Sequence, residues 1–190
     1  HSATSNGTYN LGGVGILSVP SELQVGRLGT GKLSVTGSTN TISALGLHTA
    51  ADFFNVDGNA DTAGGTAILD FVADADGVTP IVLTGVWMDG DNDAAIPDIL
   101  LGDNTSLTVD LSAMAAASSV LLVDNGGIEA VSGIFAGLPE GTLVPGSGGR
   151  TISYVGGDGN DIVLNAIPEP TAIVMLGLGI MVLVPRRRRR

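Results

Sequence analysis

The sequence has no cysteine, two histidines, one tryptophan and 4% aromatic residues, and only 14% of its side chains are charged. Without thiols there is no disulfide framework, no Cys nucleophile and no thiolate metal site. The histidines are His1 and His48, and no serine stands in a Gly-x-Ser-x-Gly elbow. A nucleophilic triad therefore has no residues to build it, and the chain is read as a non-enzyme. His48 is read as a surface residue or a satisfied core residue. What the sequence has in excess is glycine, 29 of 190 residues, against a usual share of about 7%. With 44% hydrophobic side chains, this composition excludes both a helical bundle and a charged, disordered chain. It suits short strands separated by many tight turns.

Positive charge is also scarce, with 8 Lys and Arg against 19 Asp and Glu and a net charge of -11. Five of the eight are Arg186 to Arg190, so residues 1–185 carry only Arg27, Lys32 and Arg150 against all nineteen acids, a charge of -16. Such a surface repels phosphate backbones, which excludes nucleic acid as a partner. Fifteen of the acids are Asp, a bias that fits turns better than helix surfaces. The chain opens at His1 without a basic or apolar leader, and Asn6-Gly7 is a turn signal before a strand-like stretch. These residues read as the middle of a repeat array, N-terminally truncated from a longer precursor.

Residues 7–43 contain short alternating triplets: Leu17-Ser18-Val19, Leu23-Gln24-Val25 and Leu33-Ser34-Val35, then Ile42 after Thr41. Each places two apolar side chains on one face, with Gly26, Gly29-Thr30-Gly31 and Gly37-Ser38 between them. Strands this short are unstable alone, but stacked as coils they share one core. The fold class expected is all-β, a right-handed parallel β-helix (solenoid) with a C-terminal transmembrane helix; the alternative is a β-sandwich. The pattern loosens from Ala44 to Thr62. Strands are expected again over Thr66–Ala73, Pro80–Val86, Ser106–Leu111, Val120–Val123, Ile134–Phe135, Thr151–Val155 and Asp161–Asn165, with a short helix at Ser112–Ala117. The domains expected are solenoid coils over 1–62 and a β-rich closing module over 63–165.

Residues 166–171 form a linker containing Pro168, Glu169 and Pro170, residues 172–185 are an apolar run, and residues 186–190 are the Arg cluster. Fourteen residues span about 21 Å as a helix, short of the ~30 Å hydrocarbon core. Arg side chains can snorkel to the headgroups and are favoured on the cytoplasmic side. Residues 172–185 are therefore expected to span the membrane, with 186–190 in the cytoplasm and 1–170 outside. The two prolines keep the preceding segment extended and accessible.

Taken in order, Pro168-Glu169-Pro170, the run centred on Leu176-Gly177-Leu178-Gly179, and Arg186, Arg187, Arg188, Arg189 and Arg190 resemble the bacterial PEP-CTERM sorting signal. That resemblance implies recognition by exosortase, a membrane-embedded transpeptidase-like enzyme. It also implies cleavage near the motif and delivery to the cell surface or the extracellular matrix. Pro185, directly before the Arg run, is a small departure from the family pattern. The stretch Val25 to Gly37 is similar to the repeats of autotransporter-like surface proteins, and Leu121 to Leu164 resembles their closing module. The partners implied are exosortase, the inner membrane and extracellular polysaccharide.

Several acidic groupings suit a weak Ca²⁺ site, the one cofactor considered. Asp89, Asp91 and Asp93 alternate as in the first half of an EF-hand loop, but Leu100 at the twelfth position supplies no carboxylate, so no EF-hand is present; Asp98 and Asp103 lie nearby. Asp158 and Asp161 lie in Gly156–Leu164, which fits a Ca²⁺-binding nonapeptide but occurs once, where such sites need stacked copies. Asp57, Asn59 and Asp61 form a weaker cluster. Trp87 and Met88 beside the acidic turn suggest a sugar-stacking platform, set against a core role for Trp87. Asp74 and Asp76 could be imagined as an acid and base pair, but in a Gly-bounded turn they read as turn formers. The function expected is that of an exported structural or adhesive surface protein; the alternative is a Ca²⁺-dependent carbohydrate-binding module on a simple anchor.

Overall fold

The computed structural model describes residues 6–50, 64–84, 98–115 and 118–167. Among them the chain is all-β, with thirteen strands and no helix. In chain order the strands are β1 (Gly7–Gly12), β2 (Ile16–Ser18), β3 (Glu22–Val25), β4 (Thr30–Thr36), β5 (Thr41–Ala44), β6 (Gly46–Thr49), β7 (Thr66–Val72), β8 (Ile81–Leu83), β9 (Ile99–Leu101), β10 (Thr105–Asp110), β11 (Val120–Asn125), β12 (Arg150–Gly156) and β13 (Asp161–Ala166).

The chain lays its strands into three sheets in rotation. The first is ordered β1-β4-β7-β10, the second β12-β13-β11-β8-β5-β2, and the third β3-β6-β9. All pairings up to β11 are parallel, and each joins strands three places apart in the order. Equivalent residues therefore stack in rungs: Leu11, Val35, Phe71 and Val109 in the first sheet, and Leu17, Ile42, Ile81 and Val123 in the second. Leu23, Leu47 and Ile99 form a third stack. Because side chains alternate along a strand, one rung in two faces inward. The inward stacks are the core, with Val35, Leu47, Leu69, Ile81 and Ile99 essentially without exposed surface. Each such side chain contributes roughly 1.5–3 kcal/mol by leaving water.

Corners are set by glycine and by one asparagine. Gly26 has φ +69°, and a Cβ there would sit 2.1 Å from the Thr66 carbonyl oxygen, so the turn after β3 can only carry a residue without a side chain. Asn40, at the corner before β5, donates to the Thr36 carbonyl at 2.9 Å and receives the Gly15 amide at 3.3 Å. Its Nδ2 also donates to Thr79 Oγ1 at 3.3 Å, beside the Asn40 backbone N at 3.1 Å. This one side chain thereby links three successive corners.

Antiparallel pairing begins with β13, which lies between β11 and β12. Between β11 and β12 the chain crosses the end of the stack. Ala136 N donates to the Thr105 carbonyl at 2.7 Å and Leu111 N donates to the Gly146 carbonyl at 3.0 Å, one at each end of β10. Phe135, Leu138 and Val144 turn down into the core.

Two expected elements take another form. Ser112–Ala117 was expected to be helical, but its described residues turn instead. Asp110 Oδ1 accepts from Ser112 N at 3.1 Å, Met114 N donates to the Leu111 carbonyl at 3.0 Å, and the Ala115 and Ser118 carbonyls accept from Arg150. Ile134–Phe135 is not a strand; Phe135 N donates to the Tyr154 hydroxyl at 2.9 Å rather than to a neighbouring strand.

Candidate functional site

The outward rungs of the first sheet carry Thr8, Asn10 and Gly12 on β1, Lys32, Ser34 and Thr36 on β4, Ile68, Asp70 and Val72 on β7, and Ser106, Thr108 and Asp110 on β10. Five of these twelve residues carry hydroxyls, and the charged ones are Lys32, Asp70 and Asp110. Lys32 Nζ lies 2.8 Å from Asp70 Oδ2. Ser34 Oγ donates to the same oxygen at 2.7 Å, and Thr108 Oγ1 donates to Asp70 Oδ1 at 2.5 Å. Burial pushes the Asp70 carboxyl up, but hydrogen bonds from Lys32, Thr108 and Ser34 and the Lys32 charge outweigh it and hold the group below its ordinary value. Asp70 is ionised and fully engaged, which suits it to ordering three strands rather than to proton transfer.

Asp74 is likewise a structural acceptor. Its carboxylate takes Ser38 N at 2.8 Å, Ser38 Oγ at 3.0 Å, and the amides of Asp76 and Gly77 at 2.9 Å each. The Ser38 amide leads in holding its carboxyl below the ordinary range. Asp76 contributes its amide to this turn and no side-chain partnership with Asp74, as the turn-forming alternative anticipates.

The closing end is organised by two side chains. Arg150 has no exposed surface, and its guanidinium donates Nε to the Ser118 carbonyl at 2.7 Å, Nη2 to the Ala115 carbonyl at 2.6 Å, and Nη1 to the Ser147 carbonyl. Three carbonyls from two loops thus satisfy a buried cation. Tyr154 donates to the Leu138 carbonyl at 2.7 Å and accepts the Phe135 amide at 2.9 Å. Burial, with some help from Glu140, pushes its phenol up to about 12 despite that amide.

Of the residues proposed for Ca²⁺, Asp158 and Asp161 lie in the described chain, at the turn between β12 and β13. Asp161 Oδ1 accepts from Asn125 N at 2.8 Å, and its other oxygen would be 1.8 Å from a Cβ on Gly157. The nonapeptide is therefore a hairpin turn whose glycine makes room for a carboxylate fastening it to β11. Burial raises the Asp161 carboxyl, the Asn125 amide opposes this, and Asp124 and Asp158 add to the rise. Among the described residues no three His, Asp or Glu side chains converge on a cation-sized site. Asp89, Asp91, Asp93, Asp57, Asn59, Asp61, Trp87 and Met88 lie outside the described residues, as do Pro168, Glu169, Pro170 and Arg186 to Arg190. No helix among the described residues is long and apolar enough to cross a membrane.

His48 is buried on the outward side of β6, with Nδ1 3.3 Å from Glu22 Oε2. Sequence reasoning missed Arg150 and Tyr154. A signal existed for Arg150, one of three cations in 185 residues dominated by acids. Compared with protein-family models, with curated proteins and with solved structures, the chain matches none.

Proposed function

We infer that this chain is an exported structural or adhesive protein of the cell surface or extracellular matrix, addressed by a C-terminal signal that exosortase processes. The observation that carries the reading is the ordered triple at the end of the sequence: Pro168-Glu169-Pro170, the apolar run 172–185, and Arg186 to Arg190. The exported part is read as a right-handed parallel β-helix. The strand rotation through three sheets supports a solenoid over a sandwich, whose sheets are antiparallel. Such a rod presents flat faces of constant spacing, and the acids described in the first sheet and its corner serve to hold strands. Both features suit display and contact rather than turnover.

The test is the intact mass of the protein from cells with and without a functional exosortase. Loss of the residues beyond about 170 only when the enzyme is present is the expected result. An Arg tail retained in both would overturn the sorting reading and leave a simple membrane-anchored β protein.

A further inference from the structure

The segment between β11 and β12 lies against the last strand of every sheet. Ser132 bridges to Leu100 of β9, Ala136 N and the Gly146 carbonyl engage the two ends of β10, and Leu143 stands opposite Thr151 of β12. Phe135, Leu138 and Val144 bind it to the core. Its remaining side meets water and is apolar. From β4 through β11 no large apolar side chain among the described residues is exposed, whereas Ile134 is 46%, Leu143 56% and Val155 64% exposed. Thr151 and Val155, four residues apart, share one face of β12, so Leu143 and Val155 lie along the same side.

Charge divides the molecule at the same place. Residues 1–185 carry -16, but residues 131–157 contain only Glu140 and Arg150, which cancel. Glu140 Oε2 accepts Tyr154 N at 2.7 Å, and Arg150 is buried. The chain also leaves the frame here. β13 ends at Ala166, opposite Arg150, whose own carbonyl accepts Val144 N at 3.0 Å. The exit is therefore two strand spacings, roughly 10 Å, from the closing segment. Residues 168–171 alone separate Ile167 from the apolar run 172–185, and four residues span at most about 14 Å.

We propose that this closing end seats on the outer surface of the membrane that holds the C-terminal run, with Ile134, Leu143 and Val155 entering the boundary between headgroups and acyl chains. The proposal rests on the reading that 172–185 span the bilayer, and it adds a lipid-contact surface on the exported part and a fixed orientation of the rod. The short tether holds the end at the bilayer at high effective concentration, so a few apolar side chains suffice to dock it. The acidic coils are repelled by headgroup phosphates, which leaves the uncharged end as the one that approaches. An apolar patch set apart from the rest of the surface is the mark of such a contact.

The test uses the full chain reconstituted in phosphatidylcholine vesicles. The sequence has no cysteine, so Val155→Cys carries a polarity-sensitive dye at a single position, as does Thr36→Cys at an exposed site of β4. Val155 lies five residues along β12 from Arg150, so a tethered but undocked domain leaves it in water. The expected result is a blue-shifted emission at position 155, most of it lost to lipids spin-labelled near the top of the acyl chain, and neither effect at position 36. Ile134→Asp with Leu143→Asp should restore the water-like emission while circular dichroism and flotation with the vesicles stay unchanged. Flotation without quenching, or quenching indifferent to the two aspartates, overturns the seating and leaves the membrane-spanning reading in place. A blue shift that the lipid quenchers do not reach means that the apolar run itself covers this end, and it overturns the seating too. Protein that does not float overturns the spanning reading and the seating together.

Discussion

The Tyr154 hydroxyl donates to the Leu138 carbonyl at 2.7 Å, joining β12 to the segment that closes the stack. The same oxygen accepts from Phe135 N, and the two rings lie with centroids 6.1 Å apart. One side chain thus fixes both the path of the closing segment and its depth.

Tyr154→Phe keeps the ring and removes the hydroxyl, leaving a buried amide and a buried carbonyl without this partner. The expected loss is about 2 kcal/mol in urea unfolding. The fold also holds the phenol proton from an ordinary 10.0 up to about 12. The neutral form is the one the fold favours, so this contribution is intact below pH 10 and is lost as pH rises through 12. Tyr154→Phe should lose stability less steeply than the parent across that window.

Arg150→Met removes a buried cation and releases the carbonyls of Ala115, Ser118 and Ser147. We expect a loss of about 3 kcal/mol, since three charge-assisted bonds from a fully buried side chain are lost at once. Hydrogen exchange should rise first around residues 112–119 and 144–149, while amides of β4 and β7 stay protected. Uniform loss of protection would contradict a local fastening role.

Asp70→Asn keeps the shape and weakens the Lys32, Ser34 and Thr108 contacts. The site is partly solvated, so about 1 kcal/mol is expected at neutral pH. The Asp70 carboxyl is held below its ordinary 3.8. Its stabilisation is therefore present above pH 3.8 and disappears as pH falls through the folded value. The gap between parent and Asp70→Asn in thermal melts should close in acid, and a gap that persisted at pH 2 would show that charge is not its source.

Gly26→Ala places a methyl group against the Thr66 carbonyl and forces φ +69° on a residue with a side chain. Strain and overlap together should cost about 2–4 kcal/mol. Gly137→Ala has positive φ but nothing within 4 Å, so it should cost only about 1 kcal/mol. The difference isolates close approach from backbone strain.

What could be read from the sequence follows from which faces are wet. β4, β7 and β10 have one face in water and one in the core; the alternation located β7 and β10 to within a residue, Thr66–Ala73 expected against Thr66–Val72 and Ser106–Leu111 against Thr105–Asp110, but showed only the Leu33–Val35 part of β4. β6 and β9 are buried along their whole length. Gly46-Leu47-His48-Thr49 buries its polar His48 and Thr49 along with Leu47, and Ile99-Leu100-Leu101 is apolar throughout, so neither shows a wet face alternating with a dry one. The route of the segment between β11 and β12 depends on Arg150 and Tyr154 reaching carbonyls 16 to 35 residues away, which no local pattern encodes. Asp158 and Asp161 sit at the turn between β12 and β13, the Gly-rich turn into a final strand that the sequence pattern also allows. What the Gly157 space receives is the Asp161 carboxylate itself.

The equivalent rung positions Gly7, Gly31, Ala67 and Thr105 are 24, 36 and 38 positions apart along the chain, yet they align without a slip. The frame therefore measures itself across strands and takes no account of how much polypeptide departs between them. Register is thus held by strand-to-strand pairing alone, as a loom holds its warp whatever the length of thread between passes.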